Sequence, residues 1–224
     1  MTQERTLVVV NAGVSEESST RRLAERIAQQ GLNALRANGI TATVSVIDLA
    51  PLAVDIARSL VSGFPAEPVR DAISRLAAAD AVIAATPVYK AGISGLFKSF
   101  ADLVDNDLLI AVPVVLAATG GTARHAMVAD DQLRPLFAFL RALPVPTSLY
   151  AAPEDWGSPE LGARIARAAG ELAALLRTDA PKHIADSGWN GYQHTFGGQA
   201  VRAEKSAADL DFDTDLMRLA AGGQ

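Results

Sequence analysis

Residues 81–103 read AVIAATPVYKAGISGLFKSFADL, and the fold follows from how this stretch divides. Ala81–Ala85 is an apolar run without polar alternation, as expected of a strand buried on both faces in the middle of a parallel sheet. Thr86-Pro87 breaks the run, because proline has no N–H to give a ladder. Downstream, Leu96, Phe97, Phe100 and Leu103 fall on one side of an amphipathic helix. The loop between strand and helix leaves the carboxyl end of a central strand, where open α/β sheets bind their ligands. It is the first candidate for a functional site.

The rest of the chain repeats this alternation. Thr6–Val10 is a second buried strand, and Asn11–Thr20 (NAGVSEESST) a polar loop. Leu23, Ile27, Ala34 and Leu35 then recur at helical spacing up to Asn38-Gly39, a helix stop. Thr41–Asp48 alternates like a strand near an edge, and Asp48–Gly63 reads as irregular. Val69, Ile73 and Leu76 mark another helix ahead of the central strand. Pro113–Ala118 is a buried strand, followed by the loop Thr119–His125 and a helix carrying Leu133, Leu136, Phe137 and Leu140. A short strand at Thr147–Ala151 and a helix with Leu161, Ile165, Ala168, Leu172 and Leu175 complete the pattern. Five strands alternating with helices predict an α/β three-layer sandwich around a parallel sheet. Right-handed crossovers favour the flavodoxin-like strand order 2-1-3-4-5. We expect one such domain over residues 1–177. A C-terminal extension, 178–224, carries Trp189, Tyr192, Phe196 and an acidic amphipathic piece, Asp209–Leu219. An extension with these apolar residues is expected to dock, either on its own domain or on a neighbouring subunit.

Composition narrows the function. The net charge of -5 is spread along 224 residues, which disfavours a nucleic-acid surface. There is no cysteine, hence no disulfide, thiolate metal site or cysteine nucleophile. No apolar run approaches the roughly 20 residues of a membrane span, and the N-terminus has no signal-peptide character, so a cytoplasmic protein is expected. His125, His183 and His194 are too dispersed for zinc. Asp209, Asp211 and Asp213 begin like a calcium loop, but Thr214 replaces its glycine. We expect no metal site and no acid–base or nucleophile constellation.

Three loops can hold a ligand. The first has Gly13 and then hydroxyls at Ser15, Ser18, Ser19 and Thr20 where a helix begins, a setting receptive to phosphate. N-capping by one serine is the plainer use of such residues. The second runs Pro87, Val88, Tyr89, Lys90, Ala91, Gly92, with an aromatic for stacking and a cation for an anion. A partly buried tyrosine and a solvated lysine would read the same. The third has Thr119, Gly120 and Gly121, with His125 nearby. Its adjacent glycines permit positive φ and a close backbone approach to a flat ligand, or simply a tight turn. These loops follow the first, third and fourth strands, so the predicted order opens all three onto one edge. A planar cofactor with a phosphate fits, and FMN is the obvious one.

The motif TPVYKAGISGLFKSFADL at Thr86–Leu103 resembles the flavin loop of the NAD(P)H-dependent FMN reductases. ATGGTARH at Ala118–His125 resembles the second flavin loop of the branch that supplies reduced flavin to alkanesulfonate-type monooxygenases. The likeness spans roughly residues 6–176. It implies a flavodoxin-like fold, hydride transfer from NADPH or NADH to FMN, and homodimers or homotetramers with the flavin near a subunit interface. By the same resemblance Ser18 and Thr20 match hydroxyls that hold the FMN phosphate. Pro87 to Gly92 match the segment along the ribityl chain and ring, and Thr119, Gly120 and Gly121 match the loop at the pyrimidine side. Val14 and Glu16-Glu17 depart from the family pattern, which often has a serine directly after the first glycine and an arginine soon after. The tail resembles the extension of an actinobacterial-type subgroup whose partners are luciferase-like monooxygenases. Two other readings stay open: an enzyme that keeps FMN and reduces quinones, azo dyes or chromate, and a flavodoxin-type electron carrier.

Overall fold

The computed structural model describes residues 4–178 and 180–189. Its centre is a parallel sheet. Strand β1 (Arg5–Asn11) lies between β2 (Ala42–Asp48) and β3 (Ala81–Tyr89), and β5 (Pro113–Thr119) follows β3. The fifth position is filled by two short pieces, β6 (Leu143–Pro144) and β7 (Leu149–Ala151), each parallel to β5. With these two counted as one strand, the order is 2-1-3-4-5, as the alternation predicted.

The strand residues divide between two aliphatic layers because successive side chains point to opposite faces. Val8, Val10, Val82, Ala84, Val114 and Leu116 pack under α2 (Ala53–Ser62), α3 (Glu67–Ala77), α4 (Gly95–Ala101) and α5 (Arg134–Phe139). Leu7, Val9, Ile83, Ala85, Val115 and Ala117 pack under α1 (Ser19–Ala37) and α6 (Pro159–Arg177). Gly31 lets α1 approach the sheet closely, since a Cβ there would come within 3.3 Å of Leu7 Cδ2. Each fully buried leucine or isoleucine contributes about 1.5–3 kcal/mol. The sheet is therefore a stiff platform for whatever its edges carry.

Two expectations need correction. Residues 48–63 are not irregular: a turn at Ala50–Leu52 leads into α2. Only Ile56 and Ser59 of α2 are buried, while Val54 and Val61 are exposed, so its apolar residues do not mark an inner face. Nor does β3 stop at Thr86-Pro87. Pro87 is the last residue paired with β5, but the strand continues to Tyr89 and folds back as a hairpin on β4 (Gly92–Ile93).

The break in the fifth strand is stapled from both sides. Arg134 donates to the carbonyls of Val145 and Pro146, both at 3.2 Å. Glu171 accepts from the Thr147 amide at 2.8 Å and its hydroxyl at 2.7 Å. Beyond α6 the chain continues into α7 (Ala180–Trp189). Tyr192, His194, Phe196 and Asp209–Leu219 lie outside the described residues.

Candidate functional site

Parallel register brings the three loops to the same end of the sheet. Asn11 at the end of β1 pairs with Ala85 of β3, and Pro87 pairs with Thr119 at the end of β5. The Ala12 amide, entering the first loop, donates to the Ala85 carbonyl at 3.0 Å.

The first loop is shaped by its serines and by what lies beneath them. Ser18 is the N-cap of α1, its hydroxyl accepting from the Arg21 amide at 3.2 Å. The Arg22 amide donates to the Ser18 carbonyl. Ser19 and Thr20, the first two residues of the helix, have no carbonyl a turn earlier inside it, so their amides face the loop. Gly13 crosses directly over the cap: a Cβ there would lie 1.9 Å from Ser18 Oγ. Ser15 is exposed, as are Val14, Glu16 and Glu17. Asn11 and Asp48, ending β1 and β2, brace the loop from below. Asn11 accepts from the Gly13 amide at 3.1 Å and donates to Asp48 at 2.8 Å. Asp48 also accepts from Arg21, and that hydrogen bond is the main reason the Arg21 pKa is raised above its usual value.

The first and third loops meet through buried hydroxyls. Thr20 Oγ1 and Thr119 Oγ1 are 2.7 Å apart, and Ser19 Oγ donates to Thr119 at 3.4 Å. One proton of the Thr20–Thr119 pair is used between them and the other stays available. In the third loop Gly120 and Gly121 do not have positive φ, so that expectation is corrected, and only Gly120 is required on steric grounds. A Cβ on Gly120 would sit 2.3 Å from the Tyr150 hydroxyl, whereas one on Gly121 would meet open space. Tyr150 of β7 is buried, and its hydroxyl donates to the Thr122 carbonyl at 2.6 Å. Burial pushes its pKa up, and the nearby Glu154 and Asp155 push it further. His125 follows in a short turn, half-buried, with its amide donating to Thr122.

The second loop is the hairpin turn. Lys90 has φ 51° and Ala91 φ 63°, left-handed values that L-residues adopt at a cost of about 1–2 kcal/mol each. Both central residues of a type I′ turn need this conformation, and glycine or asparagine usually fills them. Gln132 holds the turn: it accepts from the Ile93 amide at 3.0 Å and donates to the Ala91 carbonyl at 3.2 Å. It belongs to a π-helical turn, Ala129–Leu133, that runs into α5. At the base, the buried Thr86 hydroxyl accepts from the Ser94 amide at 3.0 Å, and Ser94 caps α4. Val88 packs with Ala118, Ala129, Tyr150 and Ala152 in a small apolar cluster that ties this loop to the third. Tyr89 at the tip is half exposed.

All fifteen expected residues thus lie on the three loops at one edge, with Ser15, Ser19, Tyr89, Lys90, Ala91 and Gly121 exposed. Pattern reading missed Asn11, Asp48, Arg21, Gln132 and Tyr150, which support the loops rather than line them. A polar residue ending the apolar run of β1, as at Asn11, was the available signal, and Asp48 stands at the matching end of the alternating β2.

Comparison with known proteins places the chain in a family. The family model described as NADPH-dependent FMN reductase matches residues 5–157. An FMN reductase (NADPH) of Pseudomonas aeruginosa is 36% identical over 181 residues, covering 79% of this chain and 94% of that protein. The NADH-dependent FMN reductase SfnE of Pseudomonas putida is also 36% identical, over 76% of this chain and 91% of its own. Among solved structures, an oxidoreductase from Corynebacterium diphtheriae superposes with a TM-score of 0.75 at 44% identity, over 77% of this chain and 97% of that one. On the family match and these relatives, the chain belongs to the NADPH-dependent FMN reductase family.

Proposed function

We propose that this protein is an oxidoreductase that transfers hydride from NAD(P)H to FMN held across the three loops, and that reduced FMN then passes to a flavin-dependent monooxygenase of the luciferase-like type. The observation that carries the reading is the junction of first and third loops, where Thr20 and Thr119 share a hydrogen bond at 2.7 Å beneath the start of a helix. The residues present fit FMN. The Ser19 and Thr20 amides and the positive end of α1 suit a phosphate. The Ser15 and Ser19 hydroxyls are exposed beside them, and Ser18, which only accepts from Arg21, keeps its own proton to donate. The acidic Glu16 and Glu17 add no cation, so helix amides and hydroxyls do the binding.

On the ring side, Pro87–Gly92 supplies an apolar, partly aromatic wall, and Gly121 leaves room for backbone approach. Bound FMN supplies the hydride acceptor itself. The chain's own residues bind, orient and exclude water, which alone lowers such barriers by about 7–11 kcal/mol when the reacting atoms are aligned. That role needs no acid–base pair. The likeness of Ala118–His125 to the flavin loop of the branch that feeds monooxygenases supports such a partner. We further propose a cytoplasmic homodimer or homotetramer, with residues 178–224 forming an extension that docks on a neighbouring subunit. Among the described residues no helix is long and apolar enough to cross a membrane.

The test is steady-state oxidation of NADPH and NADH with FMN varied. Saturable dependence on added FMN, with release of reduced flavin, is the expected result. Oxidation that ignores added FMN, or protein that never binds flavin, would refute the reading.

A further inference from the structure

One side-chain cluster beside the loops has no part in the reaction described so far. Arg22 and Arg26, one turn apart on α1, both stack on Trp156, with guanidinium carbons 4.9 Å and 5.9 Å from the ring centroid. Trp156 belongs to the turn Pro153–Gly157, which directly follows β7. The Ala151 carbonyl of β7 accepts from the Gly120 amide at 3.2 Å, so this turn adjoins the third loop. Arg22 is two residues beyond Thr20, whose hydroxyl meets Thr119. The cluster therefore sits at the rim of the proposed flavin site, on the α1–α6 side.

Among the described residues neither guanidinium has a carboxylate partner, Glu154 on the same turn included. Glu25, between them on α1, is turned to Arg21, and Asp155 accepts from the Ala152 amide. Two like charges held over one indole repel each other, so the pair favours an anion that can meet both. A phosphate monoester accepts bidentate hydrogen bonds from such groups, and its roughly two negative charges can answer two guanidiniums at once. NADPH and NADH differ by one such group, on the adenosine ribose, and an arginine commonly receives it in dinucleotide sites.

We propose that Arg22 and Arg26, braced on Trp156, clamp the 2′-phosphate of NADPH and make the protein selective for it over NADH. This rests on the hydride-transfer reading and deepens it. The relatives leave the choice open, since an NADPH-named and an NADH-named enzyme are each 36% identical to this chain.

Two measurements test the clamp. In steady-state kinetics at saturating FMN, the wild-type protein should prefer NADPH. Replacing Arg22→Gln and Arg26→Gln together should lower kcat/KM for NADPH by about a hundredfold, as expected for two charge-assisted contacts, and change that for NADH less than about twofold. The loss should fall on KM rather than kcat, with FMN affinity unchanged. A wild-type preference for NADH, an equal loss for both nucleotides, or no loss for either overturns the proposal.

The second measurement needs no turnover: calorimetric titration with adenosine 2′,5′-bisphosphate and with AMP. The bisphosphate should bind wild-type protein at least about tenfold more tightly than AMP, and the double variant should bind the two alike. Equal binding by the wild type refutes the clamp even where FMN-dependent oxidation is brisk. A clear bisphosphate preference in a protein that oxidises neither nicotinamide would keep the clamp and refute the hydride-transfer reading instead.

Discussion

The α1–β5 junction and the β3–β4 hairpin both belong to the carboxyl edge, yet they are held by different means. At the junction, Thr20 and Thr119 are buried inside regular elements and their hydroxyls are fixed by the sheet and helix themselves. At the hairpin, two residues sit in an unfavourable backbone region, and Gln132, from a distant turn, keeps them there. The phosphate side of the proposed site is therefore in place before any ligand arrives. The ring side is a clasped segment that can open at modest cost. A site that must release its flavin needs such a division: one half to recognise, the other to let go.

The sharpest way to break this contrast is at Gly13. Gly13→Ala would drive a methyl group to 1.9 Å from Ser18 Oγ and 2.9 Å from Ser18 Cβ. We expect about 1–3 kcal/mol of lost stability and at least roughly tenfold weaker flavin binding, read by urea unfolding and fluorescence titration. Unchanged binding would mean that the first loop is as yielding as the hairpin. Next in size is Thr119→Val, which strands the Thr20 hydroxyl and should cost about 1–3 kcal/mol. Adding Thr20→Val should recover most of that loss, since replacing both partners of a buried pair is nearly neutral. If the two losses simply add, the hydroxyls are not coupled.

The hairpin should respond more gently. Gln132→Ala removes two hydrogen bonds from the turn and should cost about 0.5–1.5 kcal/mol each at most. Its signature is local: faster amide exchange at Ile93, with exchange across β1 and β5 unaltered. Global acceleration would show that the hairpin is part of the rigid platform. The smallest change is a gain. Ala91→Gly relieves the left-handed strain, offset by glycine's entropy, for a net of roughly 0.5 kcal/mol or a Tm rise of about 1–2 °C. A fall in Tm would argue that Ala91 is not strained.

These contrasts also explain what the sequence could and could not reveal. Strand order and the meeting of three loops were legible because the buried strands are continuous apolar runs and parallel topology leaves little choice. Helix α2 was illegible because its valines at 54 and 61 face outward, so no inner stripe announces it. The hairpin was hidden by Pro87, which ends pairing with β5 but leaves an antiparallel partner free to form. Gly120 read as a position for positive φ and proved to be a gap filled by Tyr150, a residue 30 positions away that only the fold brings near. Asn11, Asp48 and Arg21 act as a set only once β1, β2 and α1 are in register. Supporting residues are read from pairing, which local pattern does not contain.

The interrupted fifth strand has a consequence for how copies of this protein meet. An outer strand normally offers a row of unpaired N–H and C=O groups that invites another chain to extend the sheet. Here Pro144 and Pro146 contribute no N–H, and Arg134 occupies the carbonyls of Val145 and Pro146. At the opposite margin Arg75 covers Ser45 and the Val46 carbonyl of β2. Both margins are thus interrupted at their middle, which shortens the stretch of free backbone that another strand could pair with.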